Sequence, residues 1–252
     1  MARVGLITVA LSCSVFIFSG CSEKPLPRIN HYVGDSSQNA SLTVMAQPGQ
    51  NSGPITAGLL LINDTSAAGA ATLLSEKARA FLTRQVRERV EGATPIRVAQ
   101  VLAADGSSQP QGSEALAKLA REQNLPYLLV AVFSSAESEV PAYLPLTGDP
   151  EQGGGRPNVP GYEAVNYALA ELALVDAGSG QVVARSDGRA WARLNWLYVP
   201  KLSNAYPVIH RSLRVAPIYP QEADAKDILR SLTADEALEQ AATRLHEAWA
   251  KS

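Results

Sequence analysis

The chain is expected to fold as one α/β domain of three layers. Its mixed sheet should hold three parallel strands plus an antiparallel hairpin, with helices on both faces. Three observations predict this. Apolar strand-like runs alternate with amphipathic helical runs from residue 55 to 133. A Gly-rich turn at 176–180 joins two strand-like segments, and an amphipathic helical run closes the chain.

The first strand is Ile55 to Ile62, apolar enough to be buried on both faces, and Asn63-Asp64-Thr65-Ser66 ends it with turn chemistry. Gly69 to Glu91 follows as a helix, with Leu74, Ala78, Phe81, Leu82 and Val86 at helical spacing. Ile96 to Leu102 is the second strand, Ser113 to Asn124 the second helix and Tyr127 to Phe133 the third strand. That order implies right-handed parallel crossovers in one sheet. Residues 134–163 hold Pro141, Pro145, Pro150, Pro157, Pro160 and a triple glycine, and are expected to be an irregular insertion. Ala164 to Asp176 and Gln181 to Arg193 form the hairpin. A second irregular insertion, 197–225, carries Pro200, Pro207, Pro217 and Pro220. Thr233 to Trp249 is the closing helix, with Thr233 and Glu236 spaced as a capping box.

Ahead of the domain (54–252), residues 1–20 have the layout of an export signal: Arg3, then an uncharged apolar stretch from Val4 to Ser19. That stretch is shorter than the roughly 18–20 residues a membrane-spanning helix requires. Phe18-Ser19-Gly20-Cys21 resembles the lipobox of bacterial lipoproteins, which implies a lipid-attachment site at Cys21. Cys13 falls in the segment that cleavage would remove, so Cys21 would be the only thiol of the mature chain and could form no internal disulfide. Residues 21–53 are polar and punctuated by Pro and Gly, and are expected to be a flexible tether with a reach of about 30 Å. Ser22 follows the cysteine where an inner-membrane lipoprotein would tend to have Asp, which favours an outer-membrane, periplasm-facing address.

The order of elements resembles the TolB amino-terminal-like α/β domain, also found in the CsgG and LpoB lipoproteins. Two motifs carry the resemblance: Leu59-Leu60-Leu61-Ile62-Asn63-Asp64 closing the first strand, and Ala173-Leu174-Val175-Asp176 before Ala177-Gly178-Ser179-Gly180 and Gln181-Val182-Val183-Ala184. It spans roughly residues 55–250 and implies a binding role in transport, envelope assembly or cell-wall synthesis. CsgG-type domains add membrane-inserting hairpins. No long alternating strand pair is legible in 134–163, so that feature is not expected here.

Catalytic chemistry is not legible. His31, His210 and His246 have no second His or Cys at metal-ligand spacing, the triple glycine lacks a following Lys-Ser/Thr, and no Gly-x-Ser-x-Gly occurs. No cofactor, metal or catalytic residue is therefore expected. The net charge of −2, with no basic run, excludes the electrostatic footprint of a nucleic-acid binder. Asp64 and Asp176 fall at strand ends, where ligand sites form in α/β sheets, although both also suit turn capping. Trp191, Arg193, Trp196, Tyr198, Tyr206, Arg211, Arg214 and Tyr219 cluster late in the chain, as a lid on the sheet or as a partner surface. The expected function is a membrane-anchored accessory protein that binds an envelope partner, and not an enzyme. The alternatives are a small-ligand binder or enzyme with a lid at 134–163, and an oligomeric export-complex component.

Overall fold

The computed structural model describes residues 24–34, 54–67, 69–102, 111–146, 157–212 and 216–250. It is a mixed α/β fold around one six-stranded sheet. The strands are β1 (Ile55–Asp64), β2 (Ile96–Leu102), β3 (Tyr127–Pro145), β4 (Asn158–Asp176), β5 (Val182–Leu197) and β6 (Val208–Arg211). Their spatial order is β2-β1-β3-β4-β5-β6. β1 pairs in parallel with β2 and β3, and every later pairing is antiparallel.

The helices are α1 (Ile29–Val33), α2 (Glu76–Ala93), α3 (Ser113–Glu122) and α4 (Ala225–Ala250). Alternation along β1 sends Ala57, Leu59 and Leu61 to one sheet face, where they meet Leu82, Val86 and Val90 of α2 and Ala237, Leu238, Ala241 and Leu245 of α4. Leu60 and Ile62 go to the other, with Leu116, Ala117 and Ala120 of α3 and Ile29, Tyr32 and Val33 of α1. The alanines of α4 let its backbone lie close to the sheet. The closest approach is at Gly188, where a Cβ would stand 2.0 Å from the Ala237 carbonyl oxygen and 2.5 Å from the Ala241 nitrogen.

Several expectations need correction. Residues 134–163 are not an irregular insertion: 134–145 complete β3 and 158–163 open β4, and the two strands pair in unbroken register from Tyr127↔Asp176 to Pro145↔Asn158. Pro141 and Pro145 of β3 are tolerated because, beyond the bridge at Ala136, no strand among the described residues pairs with the outer edge of β3, which therefore needs no backbone donors there. Residues 21–53 are not wholly a loose tether, because 28–34 dock on the domain and include α1. The first long helix starts at Glu76, not Gly69: the Ser75 hydroxyl accepts from Ala78 N, while Ala70 bridges Ala136. Thr233 does not cap a helix. α4 begins two turns earlier, and the buried Thr233 hydroxyl donates to the Leu229 carbonyl. Within 197–225 the chain adds β6 and the 3-10 turns Pro200–Leu202 and Glu222–Asp224, so the sheet has a strand beyond the expected hairpin.

The β2 edge of the sheet is met by side chains of α2. On edge strand β2, Val98 N donates to Glu91 Oε1 at 2.8 Å and Val98 O accepts from Arg87 Nη2 at 2.8 Å. One helix face thus occupies both of Val98's outward-facing backbone groups.

Two glycines give opposite tests of this packing. Gly188→Ala should cost about 1–3 kcal/mol, because the Ala237 and Ala241 backbone and the Gln240 Cβ lie where the methyl would go. Gly92→Ala, in the last turn of α2 with nothing within 4 Å of the added carbon, should stabilise by about 0.5–1 kcal/mol. Urea unfolding of both variants checks the pair, and equal effects would contradict the close approach of α4.

Candidate functional site

The residues singled out late in the chain do not form one patch. Trp191 and Arg193 project from the sheet face that carries α1 and α3. Trp191 stands across from Tyr167 on β4, and the Arg193 guanidinium lies 5.9 Å from the Trp191 ring centroid. Arg193 Nη1 is 3.2 Å from Glu163 Oε2, which fixes the guanidinium against the ring. Trp191 remains 37% exposed. This row is an aromatic-and-arginine surface lying open on a rigid sheet.

Trp196 and Tyr198 belong to the opposite face. The Trp196 ring stacks on Tyr162 with centroids 5.8 Å apart, Tyr198 tilts against Tyr162 at 6.0 Å, and Lys226 Nζ sits 5.6 Å from the Tyr162 centroid. Burial, then Glu139, Glu137 and Glu222, push the Tyr162 phenol up to about 12. It is a neutral platform at neutral pH. Tyr206 is neither a lid nor a surface residue: it is buried with Leu144, Leu197 and Val208, and its hydroxyl donates to the Pro145 carbonyl at 2.6 Å. Arg211 is structural as well. Its Nε lies 3.5 Å from Oε1 of the buried Glu236, a charge contact rather than a hydrogen bond, while the Ser212 hydroxyl donates to Glu236 Oε2 at 2.8 Å. Tyr219 is exposed, next to Ile218, which packs in the same apolar cluster as Tyr162 and Trp196. Arg214 and Cys21 lie outside the described residues.

Asp64 and Asp176 do not share a site. Asp64 aligns with Ser134 on β3, whereas Asp176 aligns with Tyr127, seven residues away, or about 23 Å along the strands. Each caps a local turn. Asp176 Oδ1 accepts from Gly178 N at 2.7 Å and Ser179 N at 2.9 Å, and Asp64 Oδ1 accepts from Ser66 N at 2.8 Å and Ser66 Oγ at 2.6 Å. Residues 134–145 and 158–163, being paired strand, cannot serve as a lid over either one. His246 is exposed and meets the Ala93 carbonyl through Nδ1, and His31 lies near Arg28 on the exposed side of α1.

Sequence reasoning missed the docking of the N-terminal segment. Glu171 of β4 is 3% exposed, and its Oε2 accepts from Arg28 N at 2.7 Å and Ile29 N at 3.1 Å, capping the start of α1 from across the fold. Further along, the Tyr32 hydroxyl donates to Asp64 Oδ2 at 3.1 Å, Gly112 N donates to the Tyr32 carbonyl at 2.8 Å, and Arg185 meets Asn30. Burial raises the Glu171 pKa, and the two backbone donors and Arg185 only partly offset it. For Asp64, burial also works upward, but the Ser66 and Tyr32 donors and the Arg28 charge outweigh it and leave the carboxyl below its ordinary value. The signal that could have exposed this site is Glu171 itself, a lone carboxylate in the otherwise apolar run Ala168 to Val175.

What these features define is a mixed α/β domain with an open aromatic-and-arginine face and a cis-docked N-terminal strap. No protein-family model matches the chain, and no curated protein matches it. Among solved structures it is similar to the PelC dodecamer from Paraburkholderia phytofirmans, at 14% identity, with a TM-score of 0.33 over 77% of this chain and 88% of that one. It is similar also to the hypothetical protein CT253 from Chlamydia trachomatis, at 13% identity, with a TM-score of 0.33 over 79% of this chain and 95% of that one. Likeness at that level assigns no role to any residue.

The buried Glu171 gives a pH test. Its folded pKa is above its ordinary value near 4.5, so the fold favours the protonated form. The stability this contributes is present at low pH and is lost as pH rises through the raised value. Glu171→Gln keeps an acceptor for Arg28 and Ile29 without the charge. The melting temperature of the variant relative to the wild type should therefore climb between pH 4 and 8. A difference that stays flat would mean that burial does not govern this carboxyl.

Proposed function

We propose that the protein is a lipid-anchored envelope lipoprotein whose sheet domain binds a protein partner, in transport, envelope assembly or cell-wall synthesis. The reading places it at the outer membrane facing the periplasm, as a binding protein and not an enzyme, built as a single three-layer domain. The export-signal pattern ending in Cys21 supports the address. The observation that carries the binding role is the open row of Tyr167, Trp191 and Arg193. A large ring held in place by a clamped guanidinium on a rigid strand loses little freedom on contact, which is the chemistry of interface hot spots.

A second reading, association between copies in an export complex, is favoured by one observation. The distal half of β3 has an outer edge that no described strand covers beyond Ala136, with Val140 and Tyr143 exposed along it. Membrane insertion of this hairpin is not part of that reading. Its Glu137 and Glu139 are paired with Arg230 and Lys226 of α4 at 2.7 Å each, which ties the hairpin to the domain.

Two measurements test the proposal. The mature protein should begin at an acylated Cys21, and Cys21→Ala should leave the membrane fraction; an unmodified Cys21 removes the address. A photo-crosslinking residue at position 191 should capture one defined envelope protein that the same residue at exposed Arg84 does not. Capture of a second copy instead would favour the oligomeric reading, and no adduct at 191 would count against both.

A further inference from the structure

We infer that the docked strap orients the domain on its membrane, with the base of the sheet toward the bilayer and the distal end of the β3–β4 hairpin pointing away from it. The inference rests on the proposed lipidation of Cys21. The rest follows from the fold. If residues 21–53 were all free chain, the domain could take any orientation at a range of about 30 Å. It is not free at Arg28, whose backbone N–H is held by the buried Glu171 carboxylate, or along α1, where Ile29, Tyr32 and Val33 are buried and Tyr32 reaches Asp64. The working leash is therefore the seven residues from Cys21 to Pro27, which span at most about 24 Å. Pro25 and Pro27 stiffen it further.

That length discriminates between the ends of the sheet. Glu171 lies five residues from the base end of β4 at Asp176, about 17 Å, and thirteen residues from its distal end at Asn158, about 43 Å. A leash of about 24 Å reaches past the base but not past the distal end. With the distal end against the lipid, the anchor could not enter the bilayer. Leu26, apolar and 67% exposed on the leash itself, is then carried toward the lipid. The distal surface, with Tyr143 at 76% and Tyr198 at 57% exposed, is carried away from it. Rings placed there face the aqueous side and whatever protein occupies it.

The test uses full-length, acylated protein in vesicles of phosphatidylethanolamine and phosphatidylglycerol with an energy acceptor on a fraction of the headgroups. A donor is attached at Ser179→Cys, on the exposed β4–β5 turn at the base, or at Tyr143→Cys. Energy transfer from position 179 should exceed that from 143 several-fold. Equal transfer, or stronger transfer from 143, overturns the inference while leaving the lipid anchor intact. Absence of transfer from both, with an unmodified Cys21 by mass, would instead refute the anchor and the inference with it. Ile29→Glu, which puts a charge into the strap's buried contact, should keep the protein on the vesicles and erase the difference between the two sites. If the difference persists in that variant with the strap shown by hydrogen exchange to be released, the strap is not what orients the domain.

Discussion

The antiparallel register between β3 and β4 is the constraint on which the rest of the structure depends. β3 receives the parallel half of the sheet on one side, through β1, and hands it to the antiparallel half on the other, through β4. Nineteen residues pair without a shift, so the outer half of the hairpin is a rigid continuation of the core. Everything attached to it inherits that rigidity. α4 lies along the hairpin and β5, anchored at one end by Lys226 and Arg230 on Glu139 and Glu137, and farther along by Arg244 on Asp187. A slip of one residue would exchange the two faces, putting Glu171 under α4 and withdrawing it from α1. The strap, the aromatic rows and the seat of α4 therefore stand or fall with one pairing.

Much of the fold was legible because local chemistry and long-range packing agree. β1 and the inner part of β3 are apolar runs, β2 starts by alternating buried and exposed residues, and α3 carries its stripe of Leu116, Ala117 and Ala120 at helical spacing. The turn at Asp176 to Gly180 closes the hairpin as the sequence indicates. What was illegible depends on neighbours distant in sequence. Proline counts as a breaker only where its missing N–H is needed, and Pro141 sits on an edge where it is not. Thr233 and Glu236 have the spacing of a cap, yet the helix passes through them because Ala225 and Leu229 upstream find apolar cover near Ile209.

The candidate site was less legible than the fold. Composition indicated that the late aromatics and arginines matter, but strand alternation decides which of them share a face. It puts Trp191 with Arg193 and sends Trp196 to the other side. Arg211 and Tyr206 were indistinguishable from surface residues in sequence, and only Glu236 and Pro145, far along the chain, show them to be structural. α1 was hidden for a related reason. Five residues among prolines and polar side chains have no helical tendency of their own. They are helical because a carboxylate 142 residues away from Ile29 accepts their free N–H groups.

The sealing of Val98 by Glu91 and Arg87 gives the sheet a direction of growth. A strand added at β2 would have to displace an acceptor and a donor at once, both held one turn apart on the same helix. Among the described residues, the far side of the hairpin has no such guard along residues 137–145 beyond its prolines and two ion-paired glutamates. With one flank closed and the other open, two copies meeting through strand edges could pair only like to like, open edge against open edge, a two-fold self-complementary contact that ends with the pair.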